Sequence, residues 1–382
     1  MSIYLDNGAT SYPKPPEVVT AVTDALTNYP GSLGRSHSKT MNQLEHRLYD
    51  IRMAVANLFN MNNADHVVFT RNVTESLNLV IQGVVEPGDE VVISSLEHNA
   101  VVRPLEALKH HGVQTIIIPN DHHGQIDLEQ LEKALKTLPK LMVINHVSNV
   151  TGDIQNLEAV AALAAQYEVP LVVDAAQSAG ILPIDMLALS LSAVAFTGHK
   201  TLMGPQGIGG LVLSKPFAKR LRPLVYGGTG SLSEYFEQPT LMPDKFESGT
   251  QNLPGILGLG AGIDFLRRIT PEVILEHERK LISLLQAGVS NLSHIRIIGN
   301  PDSYKRLGVL SLDFSQDDNS RIAHAFSKNY EIATRVGLHC APLAHKSYGT
   351  FSSGTVRFST SYFNTEEDIL NTIKAINEII KD

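Results

Sequence analysis

The sequence predicts an α/β fold built on a mostly parallel, seven-stranded sheet covered by helices, followed by a smaller α+β unit. Three observations predict it. Between about residues 67 and 213, short apolar runs alternate with longer amphipathic stretches of helical period. The short runs are apolar at nearly every position, as strands covered on both faces are. Polar residues recur just after them: Thr74, His98, Asn149, Asp174 and Lys200 each follow such a run by zero to four residues. That is where the carboxyl ends of a parallel sheet collect functional groups.

In chain order, residues 1–35 form an arm rich in Pro and Gly, whose Asn7, Thr10 and Tyr12 are expected to line a site. The large unit spans 36–254, with strands expected at 67–70, 91–94, 115–118, 141–145, 170–174, 194–197 and 209–213. The Gly- and Pro-bearing stretch from Tyr226 to Thr250 reads as ordered loops at the rim of a site. A long helical segment over 253–292 leads into a C-terminal unit, 255–382, with strands at 309–314, 331–335 and 355–359 and a closing helix from Glu366. No internal repeat or low-complexity tract interrupts this order.

The chain has 382 residues, enough for two cores. Its 31 basic and 39 acidic residues give a net charge of -8, which offers no broad attraction to nucleic acid or to an anionic membrane. A single cysteine, Cys340, excludes an internal disulfide. The N-terminus has neither a basic n-region nor a long apolar core, and no apolar run approaches the roughly 20 residues that span a bilayer, so a soluble, cytoplasmic protein is expected.

The most specific chemistry lies in two segments. Leu171-Val172-Val173-Asp174-Ala175-Ala176-Gln177 is an apolar strand ending in Asp, and Thr197-Gly198-His199-Lys200 follows another. A lysine that forms a Schiff base with an aldehyde, and a carboxylate that keeps a pyridine nitrogen protonated, are what pyridoxal phosphate requires. Asp174 could instead cap the following helix, and a lysine after a strand is ordinarily a surface residue. The convergence of both segments on one sheet edge favours the cofactor reading. Gln177 is then expected at the phenolic oxygen, Thr197 and His199 toward the phosphate, and Thr74, with Glu75 beside it, at a phosphate-binding helix start. His98 is expected to stack on the pyridine and shuttle protons, its ordinary acid–base range suiting neutral pH. Arg357 reads as a clamp on a substrate carboxylate, with Asn149 as its partner. Cys340 sits among Gly337, His339 and Pro342, which suggests a loop rather than a core; Arg335 and His339 are expected to favour its thiolate, the nucleophilic form. Gly258-Leu259-Gly260-Ala261-Gly262 lacks dinucleotide spacing, and His110-His111 and Asp121-His122-His123 read as solvated histidines, so no metal site is expected.

These segments, with Tyr4-Leu5-Asp6-Asn7-Gly8-Ala9-Thr10, Thr74-Glu75-Ser76, Glu97-His98-Asn99, His146-Val147-Ser148-Asn149, Phe246-Glu247-Ser248-Gly249-Thr250 and Arg335-x-Gly-x-His339-Cys340-Ala341, resemble the cysteine desulfurases and selenocysteine lyases. That group lies within the class V aminotransferases of fold-type I pyridoxal-phosphate enzymes, and the resemblance runs nearly end to end. It implies Lys200 as the Schiff-base lysine, Asp174 and Gln177 on the ring, His98 stacked upon it, and Thr74, Thr197 and His199 toward the phosphate. It implies further that Thr250 reaches the cofactor of a second subunit in a homodimer. Arg357 and Asn149 would hold the amino acid carboxylate, and Cys340 would accept sulfur, with Arg335 and His37 close by. Leu338 stands where the short-loop branch has the first histidine of a Gly-His-His-Cys pattern.

The expected reaction is conversion of L-cysteine to L-alanine with a persulfide left on Cys340, which a sulfur-acceptor protein would then discharge. The alternatives are a lyase for L-selenocysteine, a β-lyase acting on the C–S bond of cystine or cysteine, and an idle cofactor-binding sulfur relay.

Overall fold

The computed structural model describes residues 2–29, 38–315 and 317–380. In chain order the strands are β1 (Ile3–Tyr4), β2 (Val67–Thr70), β3 (Glu90–Ser94), β4 (Gln114–Ile118), β5 (Leu141–Asn145), β6 (Leu171–Asp174), β7 (Ala193–Thr197), β8 (Gly209–Leu213), β9 (Ile295–Ile298), β10 (Val309–Phe314), β11 (Ile332–Ala333), β12 (Arg335–Gly337) and β13 (Thr355–Ser359). The helices are α1 (Pro16–Thr27), α2 (Lys39–Leu58), α3 (Val73–Val84), α4 (Asn99–Leu108), α5 (Leu128–Leu135), α6 (Leu157–Gln166), α7 (Lys215–Arg220), α8 (Leu253–Ile269), α9 (Pro271–Val289), α10 (Asn319–Tyr330), α11 (Pro342–Ser347) and α12 (Glu366–Ile379).

Seven strands form the large sheet in the order β2-β8-β7-β6-β5-β3-β4. Only β8 runs against its neighbours. Two reversals across β8 bring β2 back into the common direction, so its carboxyl end shares an edge with those of β3, β5, β6 and β7. Alternation along each strand explains why the runs are apolar throughout. Met142 and Ile144 of β5, with Leu171 and Val173 of β6, face one core beside α2, α5, α6 and α8. Leu141 and Val143, with Val172, face a second core beside α3, α4 and α7. Both faces are covered, as the sequence implied.

The smaller sheet, β12-β13-β10-β9, is antiparallel and packs through Leu310, Leu312, Val356 and Phe358 onto α9, α10 and α12. The arm joins this unit through β1, which pairs in parallel with β11.

Two expectations are corrected. The helical segment over 253–292 is two helices, because Thr270 adopts φ 72° and Pro271 begins the next one. The strand expected at 331–335 is divided: β11 serves the arm, and β12, beginning at Arg335, pairs with β13. The glycine-rich stretch 258–262 lies inside α8, where a Cβ on Gly260 would stand 2.7 Å from Ile51 Cδ1. Its small residues permit close packing of α8 on α2. No described helix is long and apolar enough to cross a membrane.

Candidate active site

Parallel pairing of β6 with β7, with Asp174 opposite Ala195, puts the ends of both strands at one edge. Asp174 is buried, and its Oδ1 accepts a hydrogen bond from the Ala176 amide at 2.9 Å. It therefore caps a turn and also presents a carboxylate to the site. Burial raises its pKa above the ordinary range, while the Ala176 amide and Lys200 pull the other way. Lys200 lies just past β7. Burial brings its amine down to about 8; Asp174 and Cys340 oppose that shift, and Arg357 and Arg335 add to it. These five groups thus share one electrostatic neighbourhood. Thr197 Oγ1 and His199 Nδ1 are buried without a protein partner.

His98 is the N-cap of α4: its Nδ1 accepts from the Ala100 amide at 3.0 Å, so the ring proton sits on Nε2. Burial first, then Lys200, Arg335, Arg103 and Arg357, push its pKa down to about 4. The expectation that His98 titrates near neutrality is corrected; it is a neutral imidazole with one N–H to donate. Gln177 donates from Nε2 to the Gly8 carbonyl at 3.0 Å, which brings the arm against the β6 edge.

At the start of α3 the N-cap is Asn72, whose Oδ1 accepts from the Glu75 amide at 3.0 Å. The Glu75 carboxylate is engaged by Arg71, with Nη2 to Oε1 at 3.0 Å. Thr74 is left exposed on the first turn. Thr250 is exposed as well and lines a cavity of about 230 Å³ with Thr70, Arg71, Glu75 and Gly207. In the single chain that cavity does not include Lys200.

On the opposite side, Arg357 of β13 is almost wholly buried. Its Nη1 donates to the Asn149 carbonyl at 2.9 Å and its Nη2 to Asp6 Oδ1 at 2.6 Å. Asn149 donates from Nδ2 to the His339 carbonyl at 2.7 Å. It therefore links Arg357 to the cysteine segment.

Cys340 is exposed. His339 and Cys340 both adopt left-handed backbone, φ 47° and 57°, a strained pair for non-glycine residues that surrounding contacts must hold. Those contacts are the Asn149 bond, the Asn99 amide donating to the Cys340 carbonyl at 2.7 Å, and His339 Nε2 on Thr355 Oγ1 at 3.0 Å. Arg335 Nη2 lies 3.7 Å from Cys340 Sγ. His339 does not supply a second cation, contrary to expectation: burial, then Arg357, His345 and Arg335, push its pKa down to about 2. His37 lies outside the described residues.

Sequence reasoning overlooked Asp6 and Glu97, though both stand inside segments it singled out. Glu97 is fully buried; its Oε1 accepts from Ser94 Oγ at 2.6 Å and from the Asn145 amide at 2.9 Å, tying the β3 and β5 edges together. Of the arm residues expected at the site, Thr10 donates to the His199 carbonyl at 3.2 Å, while Asn7 is spent on the Ser359 carbonyl at 3.0 Å. Tyr12 is exposed.

The family model for aminotransferase class-V matches residues 3–371. A probable cysteine desulfurase of Methanothermobacter thermautotrophicus is 33% identical, over 99% of this chain and 94% of its own length. A cysteine desulfurase of Escherichia coli is 31% identical, over 98% and 93%. The apo structure of the cysteine desulfurase from Thermococcus onnurineus NA1 superposes with a TM-score of 0.92 at 32% identity, covering 100% of this chain and 95% of that one.

Proposed function

We propose, from the premise that the chain belongs to the aminotransferase class-V family and within it to the cysteine desulfurases, that it is a pyridoxal-phosphate-dependent cysteine desulfurase. The observation that carries this reading is an exposed thiol, Cys340, in the same charge cluster as a desolvated amine, that of the half-buried Lys200. The residues fit the cofactor. A half-buried lysine with a desolvated amine, and a buried carboxylate that shares its electrostatics, answer the aldehyde and the pyridine nitrogen. Two buried polar atoms without partners, Thr197 Oγ1 and His199 Nδ1, answer a phosphate, since such atoms are costly unless something completes them.

When bound, pyridoxal phosphate supplies an aldehyde for the substrate amine and an electron-withdrawing ring. Lys200 carries a proton to and from the substrate Cα; an amine near 8 is poised to do so close to neutrality. His98 stays neutral and donates a hydrogen bond from its Nε2–H. Arg357 binds the substrate carboxylate, and Asn149 fixes both Arg357 and the loop that carries the thiol. Cys340 Sγ attacks the substrate sulfur. The substrate C–S bond breaks, an S–S bond forms, and Cys340 is left as a persulfide while the carbon skeleton, reprotonated, leaves as L-alanine.

The same reading takes the protein as a homodimer in which Thr250 meets the partner's cofactor. Its support is the exposed apolar set Tyr226, Tyr235, Phe236 and Leu241 in the loops leading to Thr250. Residues 36–254 and 255–382 are read as the large and small units, with α8 packing on the core of the former. The exposure of Cys340 suits delivery of sulfur to an acceptor protein.

The test is the intact mass of cofactor-loaded protein after brief exposure to L-cysteine without reductant, with alanine measured in the same sample. One added sulfur on Cys340, matched by alanine, is expected, and Cys340→Ala loses that mass while keeping the cofactor's visible absorption. Pyruvate in place of alanine, or alanine release unaffected by Cys340→Ala, would sink the proposal.

A further inference from the structure

Arg357 is 1% exposed, and a guanidinium at that depth needs a counter-charge. The counter-charge comes from the N-terminal arm. Asp6 Oδ1 stands 2.6 Å from Nη2 across 351 residues of sequence, while the Asp6 side chain keeps 21% of its surface open. The arm is held firmly there. Asp6 bridges Ser359 in parallel fashion, and the Leu5 amide donates to the Ala333 carbonyl at 2.9 Å. The Gly8 amide donates to Ser359 Oγ at 2.7 Å. Gly8 packs closely on the guanidinium: a Cβ at that position would stand 3.2 Å from Arg357 Cζ and 3.4 Å from Nη2. With Nη1 on the Asn149 carbonyl and Nη2 on Asp6, Arg357 Nε is left buried and without a partner.

A two-pronged grip on a carboxylate needs two N–H groups on one edge of the guanidinium. On the edge that carries Nε, the second prong is Nη2, which Asp6 already holds. We propose that Asp6 is a specificity-determining residue that competes with the substrate α-carboxylate for Arg357. Asp6 neutralises the arginine until substrate arrives; an entering carboxylate takes Nε and contends with Asp6 for Nη2. This inference rests on the reading of Arg357 as the substrate clamp. Its consequence is selective. Ligands with a carboxylate meet the repulsion of Asp6, and ligands without one do not.

Asp6→Asn keeps the size and a hydrogen-bond acceptor but removes the charge. In the cofactor-loaded enzyme the KM for L-cysteine and the inhibition constant of L-alanine are expected to fall about three- to ten-fold, with kcat within about two-fold. The inhibition constant of cysteamine, which has the amine and thiol but no carboxylate, is expected to stay put. Asp6→Glu retains the charge and is expected to stay within about two-fold of the parent. An Asp6→Asn KM that is unchanged or raised overturns the inference, as does an equal fall for cysteamine. Arg357→Lys separates this from the underlying reading. If it raises the KM for L-cysteine while Asp6→Asn changes nothing, only the role of Asp6 is lost; if it leaves the KM alone, the clamp reading falls and the inference with it.

Discussion

Arg335 and Arg357 stand directly opposite each other in the antiparallel pairing of β12 with β13. Like charges in that relationship repel, and the structure answers with one anionic or polarisable group for each. Asp6 lies 2.6 Å from Arg357, and Cys340 Sγ lies 3.7 Å from Arg335. The two cations also reach across to the large sheet, where both lower the pKa values of Lys200 and His98. One paired register thus connects Arg357, Cys340, Lys200 and His98, the groups proposed as carboxylate clamp, sulfur acceptor and acid–base pair.

Replacing Arg335 by Gln removes the cation beside the thiol and relieves the repulsion on Arg357. The sheet and the cofactor groups are left in place, so cofactor binding is expected to persist. The single-turnover rate of alanine formation is expected to fall about ten-fold, the scale of losing one charge-assisted contact to a reacting atom. A rate equal to the parent's would reduce Arg335 to a bystander.

If Lys200 captures the cofactor as proposed, the capture has a defined pH profile. The neutral amine is the nucleophile. With the pKa brought down to about 8, most of the amine is protonated at pH 6 and most is neutral at pH 9. The rate at which apoprotein acquires visible absorption on mixing with pyridoxal phosphate should therefore rise as pH approaches 8 and level off above it. Asp174 works against the lowering, so Asp174→Asn is expected to move the midpoint to lower pH. Stopped-flow absorbance across that range checks both points; a midpoint near the ordinary lysine range would contradict the burial of the amine.

The strands that carry the cofactor residues were legible because they are apolar on both faces, and Asp174 and Lys200 were legible because their segments end those strands. β1 and β9 were not: one is two residues long, and the other is four residues with only Ile298 buried. The break in the helical segment over 253–292 did have a visible sign in Pro271. The pairing of Asp6 with Arg357 had none, since only the docking of the arm on β13 and β11 joins them. The protonation of His98 was equally hidden. Its ordinary range is overruled by burial and by four cations from three parts of the chain, and no local pattern encodes such a sum.

The cysteine segment depends on a buried polar junction. Asp153 is fully buried and accepts from Thr151 Oγ1 at 2.7 Å, Tyr348 OH at 2.8 Å and the Asn300 amide at 2.9 Å. Its backbone bridges Arg306, itself wholly buried. Tyr348 directly follows α11, which begins two residues after Cys340, so its hydroxyl fastens that segment to the 147–154 hairpin of the large unit. Burial, with the charge of Asp153, raises the Tyr348 pKa, so the hydroxyl remains a donor at any working pH. Tyr348→Phe strips one of three donors from a buried carboxylate and is expected to lower unfolding stability by about 1–3 kcal/mol. Hydrogen exchange in 338–348 should quicken and persulfide formation should slow, while the visible absorption of the bound cofactor stays as in the parent, because none of the groups around Lys200 is touched. If denaturant midpoint and exchange both match the parent, the junction does not hold the thiol in place.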